Sequence, residues 1–203
     1  MKNNNQFFAM LSRMKYINRW GLMRNTMNED IAQHSLEVAM IAHALVLIHN
    51  RHFCSDKSCE GVHKLSAERA AVLAMYHDTT EIITGDLPTP IKYFAPQIRD
   101  SYKKVEQMAA NQLLHTLPED LQLDYHSILL AQEEEQELWQ FVKAADKLSA
   151  YIKCLEETRV GNVDFEKAKQ STKKALDDMN IAEVNYFIEK FLPAYSLTLD
   201  EQA

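Results

Sequence analysis

Apolar residues along this chain recur at intervals of three and four, the spacing that gathers side chains on one face of a helix. Phe7, Met10, Leu11 and Met14 follow it and predict a helix over Phe7–Tyr16, after which a short polar link carries Arg19, Trp20, Arg24 and Asn25. A second helix is predicted from Ile31 to Asn50, with His34 near its start and Leu36, Ala39, Met40, His43, Ala44 and Leu47 as its inner face. Between Arg51 and Leu65 the pattern dissolves into a polar surface insertion, until Ser66 offers an N-cap for a third helix, with Arg69 where a capping box would place Glu. That helix runs to His77-Asp78. Gly85, Pro88 and Pro90 then fix an irregular, rigid loop over Thr84–Pro90. Helical spacing resumes over Pro96–His115 and starts again at Pro118-Glu119-Asp120. It continues as a long helix over Gln132–Arg159, which Gly161 ends, and closes with helices over Asp164–Met179 and Ile181–Ala194.

With only four glycines and five prolines in 203 residues, long helices are favoured over turn-rich β structure, and the expected class is all-α. The length supports one sizeable core, and no composition shift divides the chain, so a single domain over residues 1–203 is expected. A net charge of −7 argues against broad attachment to polymeric nucleic acid or to an anionic membrane surface, since both require clustered Lys and Arg. No run approaches the roughly 20 apolar residues of a membrane span, and the polar opening Lys2-Asn3-Asn4-Asn5-Gln6 is unlike a signal peptide. Three cysteines cannot close a disulfide set, which points to the reducing cytoplasm. The acidic runs Glu133-Glu134-Glu135 and Asp177-Asp178 read as solvated helix ends.

The chemistry begins at Tyr76-His77-Asp78-Thr79-Thr80-Glu81. Ala70, Leu73, Ala74, His77 and Asp78 share one helical stripe, so an imidazole and a carboxylate continue the face that should enter the core. A buried unpaired carboxylate costs about several kcal/mol, a penalty that a bound cation removes. Asp146 repeats the puzzle on a stripe with Trp139, Val142, Ser149 and Ala150; a metal ligand and a surface ion pair with Lys143 or Lys147 both remain open for it from that helix alone. His34, His77, Asp78 and Asp146 together would offer two imidazole nitrogens and two carboxylate oxygens, a mixed set suited to one divalent cation such as Co2+, Mn2+, Zn2+ or Mg2+. The absence of thiolates favours an open catalytic site over a closed structural zinc. His52, Cys54, Cys59 and His63 in the insertion match no standard finger spacing.

His34, then His77-Asp78, then Asp146 reproduce the H…HD…D signature of HD-domain metal-dependent phosphohydrolases. With Arg19-Trp20, Gln33-His34-Ser35-Leu36, His77 to Glu81, Thr84-Gly85-Asp86-Leu87-Pro88-Thr89-Pro90 and Lys143-Ala144-Ala145-Asp146, the chain resembles the bacterial HD-domain 5′-deoxynucleotidases from Phe7 to Glu201. The resemblance implies a homodimeric all-helical enzyme that removes the 5′-phosphate of deoxyribonucleoside monophosphates. It assigns Glu81 to the attacking water, and Arg19 and Trp20 to phosphate orientation and deoxyribose selection. It further assigns Asp86 to the 3′-hydroxyl, places Leu87, Pro88 and Thr89 as the wall beside it, and brings substrate against His34 and Asp78. The alternatives are an HD hydrolase of triphosphates or cyclic nucleotides, and a non-catalytic helical nucleotide sensor. Gln33 departs from the glutamate common in the family before the first histidine, so a changed orientation of His34 is expected.

Overall fold

In the computed structural model, which describes residues 5–54, 64–92, 94–130 and 132–202, the chain is all-α. Ten α-helices are present among the described residues: α1 (Phe7–Leu11), α2 (Ile31–Ile48), α3 (Ala67–Tyr76), α4 (Glu81–Thr84), α5 (Thr89–Lys92), α6 (Pro96–Leu114), α7 (Glu119–Leu129), α8 (Gln136–Arg159), α9 (Glu166–Met179) and α10 (Ala182–Lys190). Five of the predicted helices change character at an end, the second passing into a π-helical turn over His49–Phe53 that runs into the expected insertion. The first becomes a 3-10 turn over Ser12–Tyr16, the long helix and α9 are preceded by 3-10 turns at Glu133–Glu135 and Val163–Phe165, and the last gives way to one at Leu192–Ser196.

The central element is α2, sandwiched between α3 and α8. Ile31, Val38, Ala42, Leu45 and Val46 are fully buried on it. Val38, Ala42, Leu45 and Val46 meet Ala70, Leu73 and Ala74 of α3 and Val142, Ala144, Ala145, Leu148 and Ile152 of α8. The many alanines in these facing rows let the helix axes approach closely. Each large apolar side chain buried here contributes roughly 1.5–3 kcal/mol.

The expected inner face of α2 is corrected by this packing. Leu36, Met40 and Leu47 are 53%, 60% and 49% exposed, and His43 and Ala44 are half-buried; only Ala39 of that set lies inside. The helix is apolar nearly all round, so two stripes compete, and the one with more β-branched and small residues fits against α3 and α8. Ile31–Phe53 is long and apolar enough to cross a membrane, yet 56% of its most apolar 18-residue window is buried inside the fold as the core helix.

Helix ends deliver the chemistry to one place. Asp30 caps α2, its carboxylate accepting from the Ala32 and Gln33 N–H groups at 2.9 Å each, while the Gln33 side chain accepts from the Asp30 N–H at 3.2 Å. Gln33 is thus occupied with the cap, and the expectation that it bears on His34 orientation is replaced by other partners described below. Ser66 caps α3 through the Arg69 N–H at 3.0 Å. Met14, Ile31 and Ile82 form a small cluster that ties the N-terminal segment and α4 to the start of α2. The acidic run is not wholly solvated: Glu135 receives the Arg69 guanidinium at 2.6 Å, and Arg69 also donates to the Ser127 carbonyl at 2.9 Å. Asp177 and Asp178 pair on the surface with Lys173 and Lys174. Of the insertion, residues 55–63, including Cys59 and His63, lie outside the described residues.

Candidate metal centre and active site

His34 near the start of α2 clusters with His77 and Asp78 in the turn after α3, and Asp146 of α8 joins them through its contact with His34. His34, fully buried near the N-terminus of α2, has its Nδ1 3.0 Å from the Ser149 hydroxyl, and that hydroxyl donates onward to Glu37 at 2.6 Å. The one hydroxyl proton is committed to Glu37, so Ser149 accepts from His34, and the ring carries its proton on Nδ1. His77, in the turn that ends α3, donates from Nδ1 to the Ala74 carbonyl at 2.7 Å. Both rings therefore present the lone pair of Nε2, and both Nε2 atoms are buried without a hydrogen-bond partner.

Those two nitrogens face carboxylates. Asp146 Oδ1 lies 3.2 Å from His34 Nε2, and Asp78 Oδ2 lies 3.1 Å from His77 Nε2 and 3.6 Å from His34 Nε2. One donor atom each from His34, His77 and Asp78 falls within 4.8 Å of the others, a cluster that could hold a metal ion. Orphaned imidazole nitrogens opposed by carboxylates are the donor set a divalent cation satisfies. Burial lowers the His34 pKa and keeps that ring neutral, as a ligand must be. Burial opposes ionisation of Asp78 and Asp146; in the metal-free fold the facing His77, its own pKa raised by Asp78 against burial, holds Asp78 down to about 2, and the facing His34 ring with Lys147 holds Asp146 well below the ordinary range. Lys147 pairs with Asp146 Oδ2 at 3.1 Å, so the surface partner and the inward role coexist on one side chain.

Arg19 and Trp20 enter from the polar link. The Arg19 guanidinium donates to Asp78 Oδ2 at 3.3 Å and lies 3.2 Å from Glu29 Oε2 and 4.0 Å from Asp146 Oδ1. Burial works against its charge, but Asp146, Glu29 and Asp78 outweigh it and raise its pKa. Trp20 adopts a left-handed backbone with φ of 58°, rare for a bulky residue, and donates from Nε1 to Glu29 at 2.9 Å. Its indole packs on Phe165 with ring centroids 5.3 Å apart. Burial raises the Asp86 pKa, and the charge of Arg19 opposes that rise.

α3 stops at Tyr76, before the His77-Asp78 pair that the spacing puts at its end, and Glu81 opens α4 after a tight turn in which its N–H bonds to the Asp78 carbonyl at 3.0 Å. The side chain is nonetheless only 9% exposed, and one carboxyl oxygen has no hydrogen-bond partner. Burial, with the charges of Asp78 and Asp86, pushes its pKa up to about 9. Beside this centre opens a cavity of about 540 Å³ lined by Arg19, Trp20, Asp86, Pro88, Asp146 and Lys147, which extends to Lys167 and Ser171 of α9. Leu87 is half-buried and Thr89 begins α5, its side chain outside the described set.

The chain matches the family model described as 5′-deoxynucleotidase YfbR-like over residues 6–195. It belongs to that family. YfbR-like relatives include a protein named 5′-deoxynucleotidase from Pectobacterium atrosepticum, 49% identical over 98% of this chain and 96% of the relative. Another, named 5′-deoxynucleotidase yfbR, from Photorhabdus temperata, is 50% identical over 96% of this chain and 95% of its own length. Among solved structures, this YfbR-like chain shares its fold with an HD-domain phosphohydrolase from Listeria innocua, at a TM-score of 0.75 and 21% identity over 97% of this chain and 91% of the other. It also shares it with the cyanophage S-2L HD phosphohydrolase DatZ bound to dA and one catalytic Zn2+ ion, at a TM-score of 0.64 and 18% identity over 94% and 96% of the two chains.

Sequence reasoning missed Glu29, Glu37 and Ser149. Ser149 stands on the inward stripe of Asp146, which was legible, but its contact to His34 spans 115 residues of sequence and carries no local signal.

Proposed function

We propose that this YfbR-like protein is a metal-dependent 5′-deoxynucleotidase, hydrolysing deoxyribonucleoside 5′-monophosphates to deoxyribonucleosides and phosphate. The activity follows the naming of relatives at about half identity over nearly the full chain. The single structural observation that carries the mechanism is the pair of buried, unpartnered Nε2 atoms of His34 and His77 set against Asp78 and Asp146, the last of which also lines the cavity. These four residues would hold one divalent cation, which when bound supplies positive charge to the phosphoryl oxygens and lowers the pKa of water. Their mixed N/O character suits Zn2+, Co2+ or Mn2+, with Mg2+ the weakest match to two imidazoles. The Zn2+ and dA held by DatZ support a transition metal and a deoxynucleoside in this fold.

The remaining roles belong to the chain's own groups. Arg19 stays charged and offers planar donors matched to phosphate oxygens. In the metal-free fold Glu81 stays protonated through neutrality because its surroundings disfavour the carboxylate; a bound cation would favour the ionised form, which could orient water and take its proton. Trp20 walls the sugar: a ribose 2′-hydroxyl pressed against the indole would lose its water partners, at about 1–3 kcal/mol. Asp86, which lines the cavity with Pro88, accepts the 3′-hydroxyl, and Leu87 lies between them in sequence.

The test is phosphate release from paired deoxy and ribo 5′-monophosphates and a 3′-monophosphate across several divalent cations. Faster release from dAMP, dGMP and TMP than from AMP is expected. Pyrophosphate or tripolyphosphate from triphosphates would mark a different HD hydrolase, and no turnover with any cation would mark a sensor. The same reading carries a single domain, a homodimer and a cytoplasmic location; the exposed apolar stripe Leu36, Met40 and Leu47 supports the dimer, and the buried thiol Cys154 suits a reducing compartment.

A further inference from the structure

The segment between Trp20 and Glu29 has almost no apolar packing of its own. Leu22 and Met27 are 75% and 72% exposed, and Arg24 and Thr26 also face solvent. Its shape is held by hydrogen bonds, and those converge on one buried group. Glu157, 1% exposed near the C-terminus of α8, accepts from the Thr26 N–H at 3.0 Å, the Thr26 hydroxyl at 2.7 Å, the Met27 N–H at 3.3 Å, and Asn162 Nδ2 at 2.8 Å. Lys153, one turn earlier on α8, pairs with the same carboxylate and donates to the Met27 carbonyl at 2.6 Å. Asn162 also donates to the Arg24 carbonyl at 2.7 Å.

The chain of contacts leads back to Trp20. Asn25, next to the anchored Thr26, donates to the Trp20 carbonyl at 3.2 Å and to the Met23 carbonyl at 3.1 Å. Lys153 Nζ lies 5.8 Å from the centre of the Phe165 ring, the ring on which the Trp20 indole rests. A tryptophan in the left-handed region persists only where its surroundings over-determine it. A buried Lys–Glu pair is in turn poorly explained by stability alone, because apolar side chains of the same volume commonly do as well. The two oddities account for each other.

We propose that Lys153 and Glu157 are positioning residues for sugar selection: they clamp Arg24–Met27 onto the end of α8 and so fix the Trp20 ring against the substrate cavity. The proposal rests on the reading that Trp20 faces the sugar. Neither residue lines the cavity described above, so they act through the segment and not on the substrate.

The experiment uses the metal-loaded full chain with kinetics on dAMP and AMP, and Trp20 fluorescence in a Trp139→Phe background, which leaves Trp20 as the reporter because the chain has two tryptophans. Glu157→Ala is expected to raise the KM for dAMP about tenfold, to lower the deoxy-to-ribo ratio of kcat/KM about tenfold, to change kcat less than about threefold, and to shift Trp20 emission to the red. Glu157→Gln, which keeps an acceptor for Thr26, gives a smaller change in the same direction. Thr26→Val removes one bond from the segment's side without touching the core, and lowers the ratio about two- to fivefold even if the Glu157 variants do not fold. A folded Glu157→Ala or Thr26→Val with unchanged ratio and unchanged emission overturns the proposal. Trp20→Ala separates the two readings. If it leaves the ratio intact, the sugar role of Trp20 fails and with it the selectivity claim, while the emission shift still decides whether the clamp holds the ring.

Discussion

His34 and His77 each carry a proton on Nδ1 because that nitrogen faces a fixed acceptor, and the lone pairs left on Nε2 define the candidate metal site more sharply than the presence of the histidines does. Removing the acceptor is therefore informative. Ser149→Ala leaves every proposed ligand in place but frees the His34 ring to change tautomer or tilt, and metal affinity is expected to fall about 10–100-fold, measured by competition with a chelator. Glu81→Gln is expected to keep metal binding and to lower phosphate release about 10²–10⁴-fold. Its stability effect has a defined sign. The Glu81 pKa is raised from 4.5 to about 9 in the fold, so as pH climbs through that interval the unfolded chain ionises while the folded one resists, and the metal-free protein loses stability. Metal-free Glu81→Gln should melt above the wild type at pH 8 and level with it at pH 4. Of the four proposed ligands, His77, Asp78 and Asp146 stood out because an ionisable residue on an apolar stripe demands an explanation, whereas His34 lay off the expected inner face of its helix and entered through the H…HD…D pattern. Glu29, Glu37 and Ser149 were not legible, since their meaning lies in contacts across the fold, such as the 112-residue separation of Ser149 from Glu37.

Elements were legible where the sequence offered contrast. The third helix and α8 each pair a clear apolar stripe with polar flanks, and both were placed with their inward faces correct. On α2 the contrast vanishes, because apolar residues surround the helix, and the choice between stripes is made by what α3 and α8 bring to the contact. The end of α8 shows the reverse case, a charged residue at full burial whose role is to hold a loop. Burial opposes ionisation of Glu157, but the bonds from Lys153, Asn162 and Thr26 hold its pKa at about 2. The folded value lies below the unfolded one, so its stabilisation is complete above the ordinary glutamate range and is lost as pH falls toward about 2. Urea unfolding should show Glu157→Gln less stable than the wild type at pH 7, with the gap narrowing markedly by pH 3.

At the scale of the whole molecule, α2 has two faces with different demands. The inner one carries the core and His34; the outer one exposes Leu36, Met40 and Leu47 over three turns, about 16 Å of helix. Apolar side chains repeated at i, i+4 and i+11 on one exposed helix face form a coherent stripe of the kind that marks an interface. In the proposed homodimer this stripe meets its symmetry mate, and the self-complementary contact is closed by a two-fold axis. Light scattering should then give twice the 23.4 kDa chain mass for the wild type and the single mass for Met40→Glu. A wild type at the single mass removes the dimer, and a dimeric Met40→Glu moves the interface off this face. His34, His77, Asp78, Asp146, Arg19 and Glu81 all come from one chain and meet within it, so the monomeric variant should keep kcat within about twofold on saturating dAMP with metal in excess. A larger loss in a well-folded monomer would mean that pairing holds the α2 N-terminus, and with it His34, in place.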